Sequence, residues 1–274
     1  MSNPVIAEAM RGGRVESAHR GSGAVVDADG AVVMTFGDIE RPVYPRSAVK
    51  ALQALPLIES GAADRLALSP KEIALACASH SGEPEHIATA RAMLAKAGRD
   101  ESVLECGAHW PLSENACRAM ARSGGKPSAL HNNCSGKHAG FVCLACAEGI
   151  DPKSYVAPDH PVQREVASAV AGVTGAQLGE ETRGVDGCSI PTYAIPLRAL
   201  ALGFARFGTG QGLERIRAGA AARIRAAVAA HPAIVAGAGR FDTEVMTLLK
   251  ARAFTKTGAE GVFCAAPPRR RWPR

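Results

Sequence analysis

The chain has 274 residues, a formal net charge of +6, 47% hydrophobic residues and 4% aromatic ones. That length suits one compact unit, with two lobes at most, and no run approaches the ~18 apolar residues that a membrane span requires. Four of the six net positive charges sit in Arg269, Arg270, Arg271 and Arg274; the rest of the chain carries only +2, with no aromatic interleaving and no basic-helix motif, which excludes nucleic-acid binding.

Eight cysteines in a chain of this size do not make a disulfide scaffold. No secretory signal is visible at the start, so reduced thiols and a cytoplasmic location are expected.

In chain order, Gly23 to Asp27 and Ala31 to Thr35 are strand candidates. Asp27-Ala-Asp-Gly30 between them is a hairpin turn signal. A helix is predicted over 46–58, where Arg46-Ser47-Ala48-Val49-Lys50 follows Pro45 and opens an apolar-periodic run. Ser47 and Lys50 are three apart, so their side chains share one helix face. A buried lysine kept neutral could take the serine's proton; a capping serine beside a solvated lysine would fit the same text. Glu72 to Ala76 is apolar and continuous, as in a buried strand or a short helix. It ends in Cys77-Ala78-Ser79-His80-Ser81-Gly82, which either presents polar groups at an edge or is a loop capping a helix at Ser81.

Helices are predicted over 86–97 and 114–122. His131-Asn-Asn-Cys134-Ser-Gly-Lys137-His138-Ala-Gly140 then packs amides, a thiol, a hydroxyl, an amine and imidazoles into a glycine-containing loop. It leads into a predicted apolar helix over 138–148, an arrangement suited to binding an anion or carboxylate. Cys143 and Cys146 fall three apart on the buried face of that helix and read as small hydrophobes. A further helix is predicted over 161–173. Gly184-Val185-Asp186-Gly187-Cys188-Ser189-Ile190-Pro191 is turn chemistry. An amphipathic surface helix over 212–229 carries Arg215, Arg217, Arg223 and Arg225.

Three short elements occur in the order found in penicillin-binding proteins and class A β-lactamases: Ser47-x-x-Lys50, Ser113-x-Asn115 and Lys256-Thr257-Gly258. They place Lys256 on an edge strand facing Ser47. The predicted fold is α/β (α+β), of the serine β-lactamase and penicillin-binding-protein type, with an antiparallel sheet and flanking helices.

Longer stretches carry a second likeness. They are Glu16-Ser17-Ala18-His19-Arg20-Gly21, Arg46 to Lys50, Cys77 to His80, His131 to Gly140, and Asp159-His160-Pro161-Val162-Gln163. Asp186 to Ser189, Gly239-Arg240-Phe241-Asp242-Thr243 and Lys256 to Val262 follow. Together, and in this order, they resemble the bacterial L-asparaginase II family, of the rhizobial thermolabile type. The resemblance implies hydrolysis of L-asparagine to aspartate and ammonia through a serine acyl-enzyme. It implies Ser47 as nucleophile with Lys50 as its base, and Ser79 paired with Lys256. It also implies zinc held by Cys134, Lys137 and Cys188, in support of the site rather than to activate water. Arg46, His138 and Asp186 would shape the substrate pocket. Asp186 suits an α-ammonium and Arg46 an α-carboxylate. A homodimer is expected.

The family-like text is read as ending near Ala266. That gives a catalytic domain over 1–266 and a basic tail over 267–274, as after truncation or a shifted frame. An inactive remnant of such an enzyme is therefore one alternative. A penicillin-recognising serine hydrolase is the other.

Overall fold

A computed structural model describes residues 3–267. The chain opens with two hairpins. β1 (Val5–Arg11) and β2 (Arg14–Arg20) pair antiparallel, and every residue of both is exposed. The spacing signals miss this hairpin, because no alternation between a buried and a solvent face marks it. β3 (Gly23–Val26) and β4 (Val32–Phe36) form the predicted hairpin. Its turn is tied by Asp27 Oδ1, which accepts from Asp29 N at 3.0 Å and Ala31 N at 2.8 Å, the side-chain turn closure that Asp favours.

After β5 (Pro42–Val43), the predicted 46–58 helix is broken into a 3-10 turn, Arg46–Val49, then α1 (Lys50–Gln53) and α2 (Leu55–Glu59). Pro56 at the start of α2 has no N–H to continue the preceding helix. α3 (Ala62–Arg65) follows. The apolar 72–76 run is helical, as α4 (Pro70–Ala76), begun by a capping box between Ser69 and Glu72. α5 (Pro84–Lys96), α6 (Glu114–Arg122), α7 (Ser135–Ala147) and α8 (Pro161–Thr174) match the predicted helices to within three residues. Ser113 caps α6 as its type predicts. Ser81 does not cap α5; its Oγ donates to Ala236 O at 2.9 Å.

Three short strands follow: β6 (Arg183–Val185), β7 (Pro191–Tyr193) and β8 (Ile195–Pro196). Then come α9 (Leu197–Thr209), α10 (Arg215–Ala230), α11 (Pro232–Ala236) and α12 (Phe241–Leu249). β9 (Phe254–Thr257) and β10 (Phe263–Ala266) close the described chain. Among the described residues the strands pair two by two, always antiparallel, as β1–β2, β3–β4, β5–β8, β6–β7 and β9–β10. The expectation of antiparallel pairing with flanking helices agrees with this mixed α/β arrangement; one continuous sheet is not formed.

The core is helical, and α7 runs through it. Ser135 to Ala145 are all buried, as expected of a helix without a polar stripe. α7 packs on α4 and α5. At Gly136 the backbones approach so closely that a Cβ there would stand 2.3 Å from Leu75 O. This close approach carries a polar helix start, Cys134 to His138, into the interior.

Candidate active site

Five segments meet at one place: the Arg46–Val49 turn with Lys50, the end of α4, the start of α7, the β6–β7 turn, and β9. Lys50, only 1% exposed, is the hub. Its Nζ donates to Ala78 O at 2.6 Å, to Ser79 Oγ at 2.8 Å and to Cys134 Sγ at 3.2 Å. Those three acceptors match the three donors of an ammonium.

The predicted dyads are paired differently. Lys50 bonds Ser79 rather than Ser47, and Lys256 Nζ donates to Thr257 O at 2.9 Å rather than to Ser79. The physical reason is reach. A four-carbon stem carries the Lys50 nitrogen to the carbonyl and sulfur at the α4–α7 crossing, which offer it better partners than a hydroxyl one turn back. Ser47 is half-buried, and among the described residues its Oγ has no hydrogen-bond partner. The backbone just before it is strained: Arg46 has φ +50°, a left-handed conformation costing a non-glycine residue ~1–3 kcal/mol.

β9 reaches this turn because Gly258 has no side chain. A Cβ there would stand 2.7 Å from Pro45 O and 3.1 Å from Ala48 N. Lys256, 1% exposed, is brought with it. Burial first, and then the nearby Lys50 charge, lower its pKa to about 7, against a smaller opposing effect of Asp242.

The two cysteines and Lys137 converge as well. Lys137 Nζ donates to Cys188 Sγ at 3.0 Å. Cys188 Sγ donates to Asp186 Oδ2 at 3.9 Å, and hydrogen-bonding to Cys188 is the main influence that holds the Cys134 pKa well below the ordinary thiol range. That bond outweighs the opposing burial and is joined by the charges of Lys50 and Lys137. The same bond, with burial, pushes the Cys188 thiol up. For Lys137, burial favours the neutral amine, but the two sulfurs outweigh it and raise its proton affinity.

These donors fit a thiophilic metal: two sulfurs, at least one of them a thiolate, with an amine against the other. Among the described residues no group of three or more His, Cys, Asp or Glu could hold a metal, so such a site would depend on Lys137 giving up its proton.

Arg46 and Asp186 form the site's ion pair, Nε to Oδ1 at 2.9 Å. Burial tends to raise the Asp186 pKa, but Lys137, the Gly187 N–H and Arg46 together lower it. Arg46 Nη1 also lies 3.8 Å from Glu260 Oε1 on the exposed β9–β10 turn.

His138 is fully buried and is held neutral by burial and by the charges of Lys137 and Lys50. Tyr155 Oη accepts from Glu105 N at 2.9 Å, so its hydroxyl is free to donate to His138 Nδ1, 2.7 Å away. That leaves the proton on Nε2, which has no partner among the described residues. Tyr155 is not marked by any motif as part of the site, and Glu260 lies in the quoted Lys256 to Val262 stretch without a role there. Asp242 lies in a quoted motif but without a role there.

The L-asparaginase II family model matches residues 7–272. The match passes Ala266 and enters the segment read as a tail outside the family, so a break in the family text at that point is not upheld. Residues 268–274, with most of that segment, lie outside the described structure. No curated protein matches the chain. Over nearly its whole length, then, the chain belongs to the L-asparaginase II family.

Proposed function

We propose that this chain is an L-asparaginase working through a serine acyl-enzyme, on a scaffold of the serine β-lactamase type. Family membership implies asparagine hydrolysis in general; the observation that supports the finer reading is that Lys50, bonded to Ser79, and β9 with Lys256 lie against the turn that bears Ser47. Ser47 Oγ attacks the side-chain amide carbon. Its proton passes to a lysine and then to the departing nitrogen, which leaves as ammonia, and water cleaves the resulting ester to aspartate.

Of the two lysines, Lys256 is the better acceptor, because its pKa is lowered to about 7, near the pH at which a general base works best. Lys50 holds Ser79 and Cys134 in register. The Arg46–Asp186 pair suits an amino-acid zwitterion, which can insert its carboxylate toward Arg46 and its ammonium toward Asp186. The unpartnered Nε2–H of His138 offers one more buried donor.

Zinc is proposed as the cofactor, held by Cys134, Lys137 and Cys188. When bound it supplies positive charge beside the pocket.

A homodimer is proposed as well. A lone two-stranded hairpin is marginal in water, and β1–β2 carries Val5, Ile6, Met10 and Val15 exposed. Eight unpaired cysteines fit a reducing, cytoplasmic compartment. Among the described residues no helix is long and apolar enough to cross a membrane.

The test is ammonia release from L-asparagine by the purified chain, with nitrocefin as the second substrate. Ammonia release supports the reading. Nitrocefin turnover without ammonia release would favour the penicillin-type alternative that the order of the three short elements suggests. Turnover of neither substrate would refute both.

A further inference from the structure

Asp242 is the second residue of α12 and is only 3% exposed. An acid near a helix start is favourable at the surface, but burying a carboxylate is costly unless partners compensate. Here the partners lie in another element. Oδ2 accepts from Thr257 N at 2.8 Å and Oδ1 from Thr257 Oγ1 at 3.1 Å. Lys256 Nζ lies 4.0 Å from Oδ2. Among the described residues Lys256 has no other carboxylate in ion-pair contact. The remaining titratable groups that face it are Lys50, Cys134, Cys77 and Cys264.

We propose that Asp242 is a positioning residue for Lys256: it clamps β9 through Thr257 and fixes the lysine nitrogen opposite the Ser47 turn. The inference rests on the reading that Lys256 takes part in catalysis. Gly258 shows why such a clamp matters. The strand passes so close to Pro45 and Ala48 that a small shift of β9 would move Lys256 relative to Ser47.

Asp242→Asn is the informative variant. Its amide can still accept from Thr257 N and donate to Thr257 Oγ1, so the clamp survives and only the charge facing Lys256 is lost. The expected result is an unchanged melting curve, KM within about threefold and, compared well above the Lys256 midpoint where the amine is neutral in both forms so that only its position differs, kcat lower by about tenfold or more. Wild-type kcat overturns the proposal. A second readout needs no substrate: competitive acetylation of the whole chain with acetic anhydride at neutral pH, comparing Lys256 with exposed Lys153. Removing the carboxylate favours the neutral amine, so Lys256 should react about threefold faster or more relative to Lys153. An unchanged ratio overturns the proposal. Absence of wild-type asparagine hydrolysis would overturn only the asparaginase reading, and the acetylation ratio would still decide for Asp242. If Asp242→Asn does not fold, Thr257→Val removes the hydroxyl contact alone; a kcat loss with KM kept supports the clamp, and wild-type kcat overturns it.

Discussion

Lys50 is hydrogen-bonded to Ser79, Nζ to Oγ at 2.8 Å, and not to the serine three residues before it. The contact divides labour between the two buried lysines. Lys50 is tied to a carbonyl, a hydroxyl and a sulfur, whereas Lys256 has, among the described residues, a single hydrogen bond and a pKa lowered to about 7 by burial and by Lys50. One lysine holds the site together, and the other is free to exchange a proton.

Ser47→Ala is expected to abolish asparagine hydrolysis, because the nucleophile and its base act as a unit. Ser79→Ala should reduce kcat without abolishing it. Kinetics of both variants decide the order. If Ser47→Ala retained more than about a tenth of wild-type turnover, a loss under ~1.4 kcal/mol, the nucleophile would be Ser79, activated by the lysine already bonded to it.

Activity should rise with pH through a midpoint near 7, as Lys256 loses its proton. The same group has a signed effect on stability. In the unfolded chain it titrates near ~10.4. Below about 7 the folded state must bury a charged Lys256, so this group's destabilisation is full there. Between about 7 and ~10.4 the unfolded state binds more protons, so the destabilisation fades as pH rises. Lys256→Met should flatten that part of the stability profile, as measured by denaturant unfolding at several pH values. An unaltered slope would show that Lys256 is not the group responsible.

Much of the helical framework is legible in the sequence, because it is written in local signals. Ser113 before Glu114 starts α6, Pro161 starts α8, and the apolar run after Gly140 continues α7. The hairpin β1–β2 is not legible, since both its faces are exposed. Nor is α9: it begins after Pro196 with no side-chain cap. At the site, residue types and order point to the right segments. Which lysine meets which serine depends on contacts far apart in the chain, such as Lys50 with Ser79 and Cys134, and spacing carries no record of them. Asp242 shows the same limit. It stands beside an arginine and a phenylalanine in a recognisable motif, but its partner Thr257 is visible only in the fold.

Zinc uptake at about one ion per chain is expected, measured by elemental analysis after dialysis. Cys134→Ser/Cys188→Ser should lose it, and so should Lys137→Met, because no other described acid, histidine or cysteine cluster can replace the lysine. Equal zinc in wild type and the double variant would remove these residues as ligands. Stripping the metal should weaken asparagine binding and leave some turnover, since the proposed nucleophile is a serine.

Gly136→Ala tests the crossing that carries the site residues inward. Its Cβ would stand 2.3 Å from Leu75 O and 2.5 Å from Leu75 Cγ, and a backbone oxygen cannot swing aside as a flexible side-chain end can. α7 would have to move off α4, at a cost of about 1–3 kcal/mol. The shift would also carry Cys134 away from Lys50 and Lys137 away from Cys188. Gly140→Ala is the comparison: its Cβ would meet Ala76 Cβ at 3.2 Å, which a few tenths of an ångström of adjustment relieves. Thermal melts should therefore show a large loss for Gly136→Ala and a small one for Gly140→Ala, and zinc uptake should fall only in the first. Equal losses in the two variants would mean that the helices reseat freely, and that the site residues do not depend on this close approach.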